Sequence, residues 1–233
     1  SDLELKGQKA RLGPVEFEYG GGHFNIIGSM DLVENPDTVS LSGSTSGWDF
    51  GEILHALKFK KQASGVINAN FDVSGSHTTG NEFIKTLSGS ATVSMTKGSI
   101  DTQLLDVAGL GIIPWLFAKN NKADAAPIVC VRAPITASNG HISTKKTVVE
   151  TDQVQIVVYG SVNLSGKVMD ITGQPRQIGR PLSRSPWPFT VVGPMNDPVI
   201  KVKAGPRRLV RKDGASTMPS NRKPCVPDIL QLK

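Results

Sequence analysis

The sequence predicts a mainly β protein: a long antiparallel sheet with a few short helices, one of them apolar and near residues 101–118. Three observations carry that prediction. Residues 140–173 (GHISTKKTVVETDQVQIVVYGSVNLSGKVMDITG) read as three or four strands in succession, divided by short polar or glycine turns. Residues 65–75 alternate cleanly, with Ile67, Ala69, Phe71 and Val73 on one face and Asn68, Asn70 and Asp72 on the other. The spacers are too short for crossover helices, so neighbouring strands pair antiparallel.

Taken in order, Leu3–Lys6 and Val15–Tyr19 alternate as strands. The Gly20-Gly21-Gly22 hinge turns the chain into a strand that carries Phe24, Ile26 and Gly28 on one face. Phosphate-cradling glycine loops open a helix, and here a strand follows, so the hinge is a hairpin turn. Residues 34–37 (ENPD) form a turn and residues 39–43 a short strand. The period then changes: Phe50, Ile53, Leu54 and Leu57 fall at helical spacing, with Asp49 and Glu52 set as a capping box, which predicts a helix over about 50–58. A second short helix is expected near 81–87, with Phe83, Ile84 and Leu87 on one side. Residues 91–96 alternate again. Residues 101–118 follow as the apolar helix, which Pro114 ends or kinks. An apolar strand over 128–131 holds Cys130. Asn139-Gly140 bends the chain into the 140–173 run, where Val154, Ile156 and Val158 face one way and Gln153, Gln155 and Val157 the other. Residues 175–188 read as a loop rich in proline and arginine, and residues 189–192 and 199–202 as the last strands.

Aromatic residues make up 6% of the chain, which suits a thin core or a shallow groove. The net charge is +6, and it is uneven. Residues 204–233 hold seven basic side chains (Arg207, Arg208, Arg211, Lys212, Arg222, Lys223, Lys233) against Asp213 and Asp228, so five of the six excess charges sit there. The chain therefore divides into a nearly neutral β domain, 1–203, and a basic tail, 204–233. A neutral body argues against nucleic acid as a partner. The tail is either a solvated segment or a contact for anionic lipid. The longest apolar run, residues 107–118, falls short of the roughly 20 residues a membrane span needs. No secretory signal is present, and the chain opens inside a strand, as a fragment of something longer would. Two cysteines, Cys130 and Cys225, allow at most one disulfide, and their spacing leaves pairing open.

The chemistry of enzymes is missing from the pattern. Four histidines (His23, His55, His77, His141) lie in different elements without a second metal-ligand type at metal spacing. No G-x-S-x-G nucleophile elbow occurs. The Gly109-x-Gly111 pair lacks the third glycine and the strand-to-helix turn of a dinucleotide site. No catalytic residue, metal or cofactor is expected.

Several pieces, in this order, resemble the C-terminal region of the bacterial AsmA family. They are the strand ending at residues 71–75 (FDVSG) with its short helix, residues 86–100 (TLSGSATVSMTKGSI), an apolar helix, an apolar strand with Cys130, residues 139–171, residues 188–202 (PFTVVGPMNDPVIKV), and a cysteine near the C-terminus, Cys225. The resemblance covers residues 1–203. Residues 174–188 depart from it, being longer and richer in proline and arginine. It implies a curved β-groove or half-barrel of the kind thought to pass phospholipid between membranes. It also implies a periplasmic location, an inner-membrane anchor in an N-terminal helix outside this chain, and a role in outer-membrane biogenesis. An oxidising periplasm further implies a Cys130–Cys225 disulfide.

That expectation fits the residue pattern. A sheet with one apolar face must cover it with helices, a second sheet or acyl chains. The candidate wall of a lipid groove is Ile67, Ala69, Phe71, Val73, Val93, Met95, Val154, Ile156 and Val158, each of which also suits a dry core. Two functions follow: a phospholipid-binding or phospholipid-conducting β-groove, or an envelope scaffold that carries no lipid. The state of the apolar face, open or sealed, separates them.

Overall fold

The computed structural model describes residues 2–33, 38–56, 63–76, 79–101, 125–152, 154–178, 188–195, 197–202, 209–210, 221, 223–226 and 231–232. Twelve strands form one unclosed, curved antiparallel sheet in which every strand pairs with its sequence neighbours, from β1 at one edge to β12 at the other. They are β1 (Leu3–Lys6), β2 (Lys9–Tyr19), β3 (Gly22–Asp31), β4 (Thr38–Asp49), β5 (Ala63–Ser76), β6 (Ser88–Asp101), β7 (Ala125–Ser138), β8 (His141–Glu150), β9 (Val154–Asn163), β10 (Val168–Gln177), β11 (Phe189–Pro194) and β12 (Val199–Val202). A separate two-strand pair joins β13 (Leu209–Val210) to β14 (Gln231–Leu232). The predicted fold class holds.

The meander follows from turn chemistry. Asn139 (φ 47°) and Gly140 (φ 72°) both take left-handed conformations, as a two-residue hairpin turn between β7 and β8 requires. Lys97, also left-handed, is the extra residue of a bulge in β6 opposite β5.

Among the described residues two short helices interrupt the sheet, α1 (Phe50–Ala56) and α2 (Gly80–Thr86), and both pack on β5. Asp49 caps α1, its Oδ1 accepting from the Gly51 and Glu52 amides at 2.6 and 3.3 Å. Thr79 caps α2 by accepting from the Glu82 amide at 3.2 Å. Phe83 of α2 lies against Gly75, whereas Ile84 is exposed, so only part of the predicted apolar side is used.

Three details differ from the expectations. The strand predicted over 39–43 runs on to Asp49. The loop predicted from 175 begins later: Pro175 and Arg176 belong to β10 and pair with Ile156 and Gln155 of β9. Among the described residues the β10–β11 register ends at Gly173 and Phe189, and a strand position without a described partner on one side tolerates a residue without an N–H. Third, β9 does not have one buried and one wet face: Val154, Gln155, Ile156 and Val157 are all buried. The predicted apolar helix at 101–118 lies outside the described residues except for Asp101, which ends β6. The turn at 34–37 also lies outside them. Among the described residues no helix is long and apolar enough to cross a membrane.

Candidate functional site: an uncharged face across twelve strands

Directly paired residues of antiparallel strands point to the same side of a sheet, so the register sorts the side chains by face. One row runs Trp48, Ile67, Met95, Val131, Val149, Ile156 and Pro175 through seven strands, β4 to β10. A second runs Leu12, Gly28, Leu41, Val73 and Gly89, and Leu3 of β1 extends it. At the other edge Ile171, Val191 and Ile200 line up across β10, β11 and β12. Along every strand the alternate residues continue this face. Among the described register pairs it carries no Asp, Glu, Lys or Arg. Lys145 and Lys146 fall in the irregularity between Thr144 and Thr147, where the register of β8 shifts.

All nine sequence-predicted wall residues lie on this face, but they are not equivalent. Ile67 and Met95 (4% exposed) are buried in a cluster with Ile128, against which Trp48, Phe50, Val93 and Val131 pack. Val154 and Ile156 (4% exposed) are buried with Phe189 and Val191 in a second cluster, where Val158, Met169, Ile171 and Ile200 are partly buried. Ala69, Phe71, Val73, Val93 and Val158 are half-buried and keep surface of their own. Phe50 of α1 reaches this face near Ile67, and Phe83 of α2 reaches it at Gly75. The helices thus stand over the two ends of β5, and the apolar band between Ile67 and Gly75 is about 26 Å long at ~3.3 Å per residue. Across the sheet, twelve strands at ~4.8 Å spacing extend the band to roughly 53 Å.

The opposite face is polar. Asn68, Asn70 and Asp72 pair with Ser94, Thr92 and Ser90. Near the β1 edge this face holds a hollow of about 640 Å³ lined by Glu4, Lys6, Lys9, Arg11, Ser29 and Asp31 among others, open and charged and unsuited to acyl chains. There Lys9 Nζ lies 2.9 Å from Asp31 Oδ2. The hydrogen bond from Lys9 and that from the Val33 amide hold the Asp31 carboxyl below its ordinary pKa, against a small opposing effect of burial.

Towards β8–β10 the polar face is covered, which sequence reasoning missed. Cys130, Glu150, Gln155 and Arg176 form one cross-strand row, and all are buried, Gln155 and Arg176 completely. Cys225 forms a disulfide with Cys130, 95 residues away in sequence, and packs against Val148 and Val157. The Cys225 amide donates to Glu150 Oε2 at 2.9 Å, and Gln155 Nε2 donates to the same oxygen at 3.0 Å and to the Val226 carbonyl at 3.4 Å. Alternation alone marks Gln155 as solvent-facing; only an apolar pair on the same face, Val148 and Val157, hinted that something lies over it.

An open antiparallel trough with one uncharged face defines the class: a β-groove protein. Residues 1–147 match the AsmA family, and the chain belongs to that family. It is similar to the AsmA family protein YhjG of Escherichia coli (strain K12), with 21% identity over 202 residues. The match covers 87% of this chain and 29% of YhjG, so the chain spans less than a third of that relative's length. No solved structure matches the chain.

Proposed function

We propose that this chain is part of a non-enzymatic, periplasmic domain of an inner-membrane-anchored AsmA-family protein, and that it binds or conducts phospholipid along the apolar face in outer-membrane biogenesis. The carrying observation is the continuity of that face: twelve strands without a charge at the described paired positions, and five half-buried wall residues, Ala69, Phe71, Val73, Val93 and Val158, that retain accessible surface. Acyl tails need apolar walls and few hydrogen bonds. One leaflet's tails occupy about half of a ~30 Å hydrocarbon core, and the ~26 Å band between the helices is longer than that. Head groups then project past the trough while the tails move from strand to strand. The Cys130–Cys225 disulfide suits an oxidising compartment such as the periplasm. The basic residues of the tail are the proposed contact for anionic lipid.

Mass spectrometry of lipid extracted from the purified chain, set against a mock purification, tests this reading. Near-stoichiometric phospholipid is expected, falling to background in Phe71→Glu and Val158→Asp while the circular dichroism spectrum is retained. Lipid that stays unchanged in both variants sinks the assignment of the face. A second reading, a scaffold without lipid cargo, draws on Ile67, Met95, Val154 and Ile156, which are sealed by their own neighbours. Protein free of lipid beyond the mock level favours it.

A further inference from the structure

We infer that Thr45 and Trp48 form a polar seat in the trough, which holds the ester carbonyls of a glycerophospholipid while its acyl tails run along the apolar face; the inference rests on the lipid reading proposed above. Two buried atoms carry it. Thr45 is 5% exposed, and neither its Oγ1 nor Trp48 Nε1 has a hydrogen-bond partner among the described residues. A buried polar atom left unpaired costs stability, and valine and phenylalanine would fill these positions without that cost. Thr144 and Thr147 make the contrast on the same face, where they pair with Gly160 and Val158. Their hydroxyls lie 2.8 Å apart, and Thr144 Oγ1 also donates to the Pro134 carbonyl at 2.7 Å.

The two side chains are neighbours on the face. Thr45 pairs with Ala69 and Trp48 with Ile67, two residues apart on β5, so about 7 Å separates them along the strand at ~3.3 Å per residue. Ser46 and Gly47 bulge between them, and the Gly47 amide donates to Asn68 Oδ1 at 3.1 Å. That bulge makes Thr45 and Trp48 consecutive on one side of the sheet. Phe24 meets the Trp48 ring edge-on at 5.2 Å and stacks on Phe17 at 5.0 Å. Both polar atoms are closed off from solvent. Gly20 lies against the indole nitrogen: a Cβ there would stand 2.9 Å from Nε1. A ligand atom approaching the indole therefore meets the Gly20–Gly22 hinge, which has no side chains and yields by backbone rotation. Thr45 lies in register between Phe24 and Ala69, and rotation about its χ1 turns the hydroxyl towards the trough.

The donor set selects the ligand. An indole N–H only donates, and a threonine hydroxyl donates as readily as it accepts, so the complement is a pair of neutral acceptors in an apolar setting. A phosphate or carboxylate does not suit this face, because a buried ion needs a charged partner and the described paired positions offer none. The two ester carbonyls of a diacylglycerol backbone are neutral acceptors on one glycerol unit, and they continue directly into acyl tails. Held at Thr45 and Trp48, they direct the tails along β5 past Phe71 and Val73. The head group then leaves beside the Gly20–Gly22 hinge.

Competition between a diester lipid and its diether tests this. The purified full chain is exchanged against vesicles holding equal amounts of diacyl phosphatidylethanolamine and a dialkyl analogue of the same chain length, and the retained lipids are quantified by mass spectrometry. We expect a preference for the diester of at least about fivefold, the worth of one net hydrogen bond. In Thr45→Val and in Trp48→Phe the preference is expected to fall towards one. Thr45→Val is also expected to keep or raise the urea-unfolding midpoint, because it removes an unpaired group. A clear drop there would mean that the hydroxyl is already bonded within the fold, and overturns the seat. Equal retention of diester and diether overturns the inference and leaves the lipid reading standing. So does a preference that both variants keep. No lipid of either kind on the unaltered chain overturns the inference together with that reading.

Discussion

The ring of Phe189 lies over the Cα of Gly173, its register partner on β10: a Cβ built on Gly173 would stand 2.6 Å from Phe189 Cε1 and overlap Cζ. The same ring is buried with Val154, Ile156 and Val191, so the missing side chain at 173 is what lets β11 close the second cluster. Gly173→Ala forces the ring off its site and is expected to destabilise the chain by about 1–3 kcal/mol, the usual cost of overpacking. The urea-unfolding midpoint checks this; an unchanged midpoint would show that the ring moves freely.

Gly140 couples two features. Its φ of 72° forms the β7–β8 turn, and a Cβ there would stand 2.9 Å from the Ile84 and Lys85 carbonyl oxygens at the end of α2. Gly140→Ala is expected to cost roughly 1–2 kcal/mol from the left-handed conformation alone, with further loss from the clash. Backbone amide shifts of α2 should move with it, which a purely local turn effect would not produce.

Buried and half-buried wall residues should respond differently to charge. Ile156→Asp places a carboxylate inside the Val154–Phe189–Val191 cluster and is expected to lower stability by about 3 kcal/mol or more. Phe71→Glu, at a half-buried site, is expected to cost clearly less. Parallel urea titrations decide it. For this reason Phe71 and Val158, and not Ile156, are the informative positions for testing lipid retention.

Asp31 offers a pH signature. Its folded pKa lies below the ordinary 3.8 because of the Lys9 hydrogen bond, the Val33 amide and the Lys9 charge. A depressed carboxylate stabilises the fold above its unfolded pKa, and that contribution is lost as pH falls through the folded value. Lys9→Ala should therefore move the Asp31 titration, followed by carboxyl NMR, back up towards the ordinary value. The effect on stability at neutral pH should be slight and weaken further in salt, since Lys9 is 70% exposed.

Most of the strands, both short helices and the AsmA resemblance were legible because they rest on local signals. Alternation marked Ile67–Val73 and Val154–Val158, helical spacing marked Phe50 and Phe83, and Asn-Gly marked the β7–β8 turn. The misreadings share a cause. Pro175 reads as a loop opener because its missing N–H is a local fact, whereas the end of the described β10–β11 register at Gly173 is not. Gln155 reads as wet because polarity is local, whereas its cover comes from Cys225 and Val226, some 70 residues on.

By itself the sequence determined which residues share a strand face, because side-chain direction follows the pleat with period two. It also determined that one face is apolar. Only the tertiary structure decided that twelve strands pair in chain order, so that Leu3 and Ile200 belong to one continuous surface. Only it decided which wall residues are sealed, and that Cys130 meets Cys225 over Glu150. Faces are set within a few residues of backbone geometry; neighbours, burial and cross-links depend on where distant segments come to rest, and no local pattern encodes that.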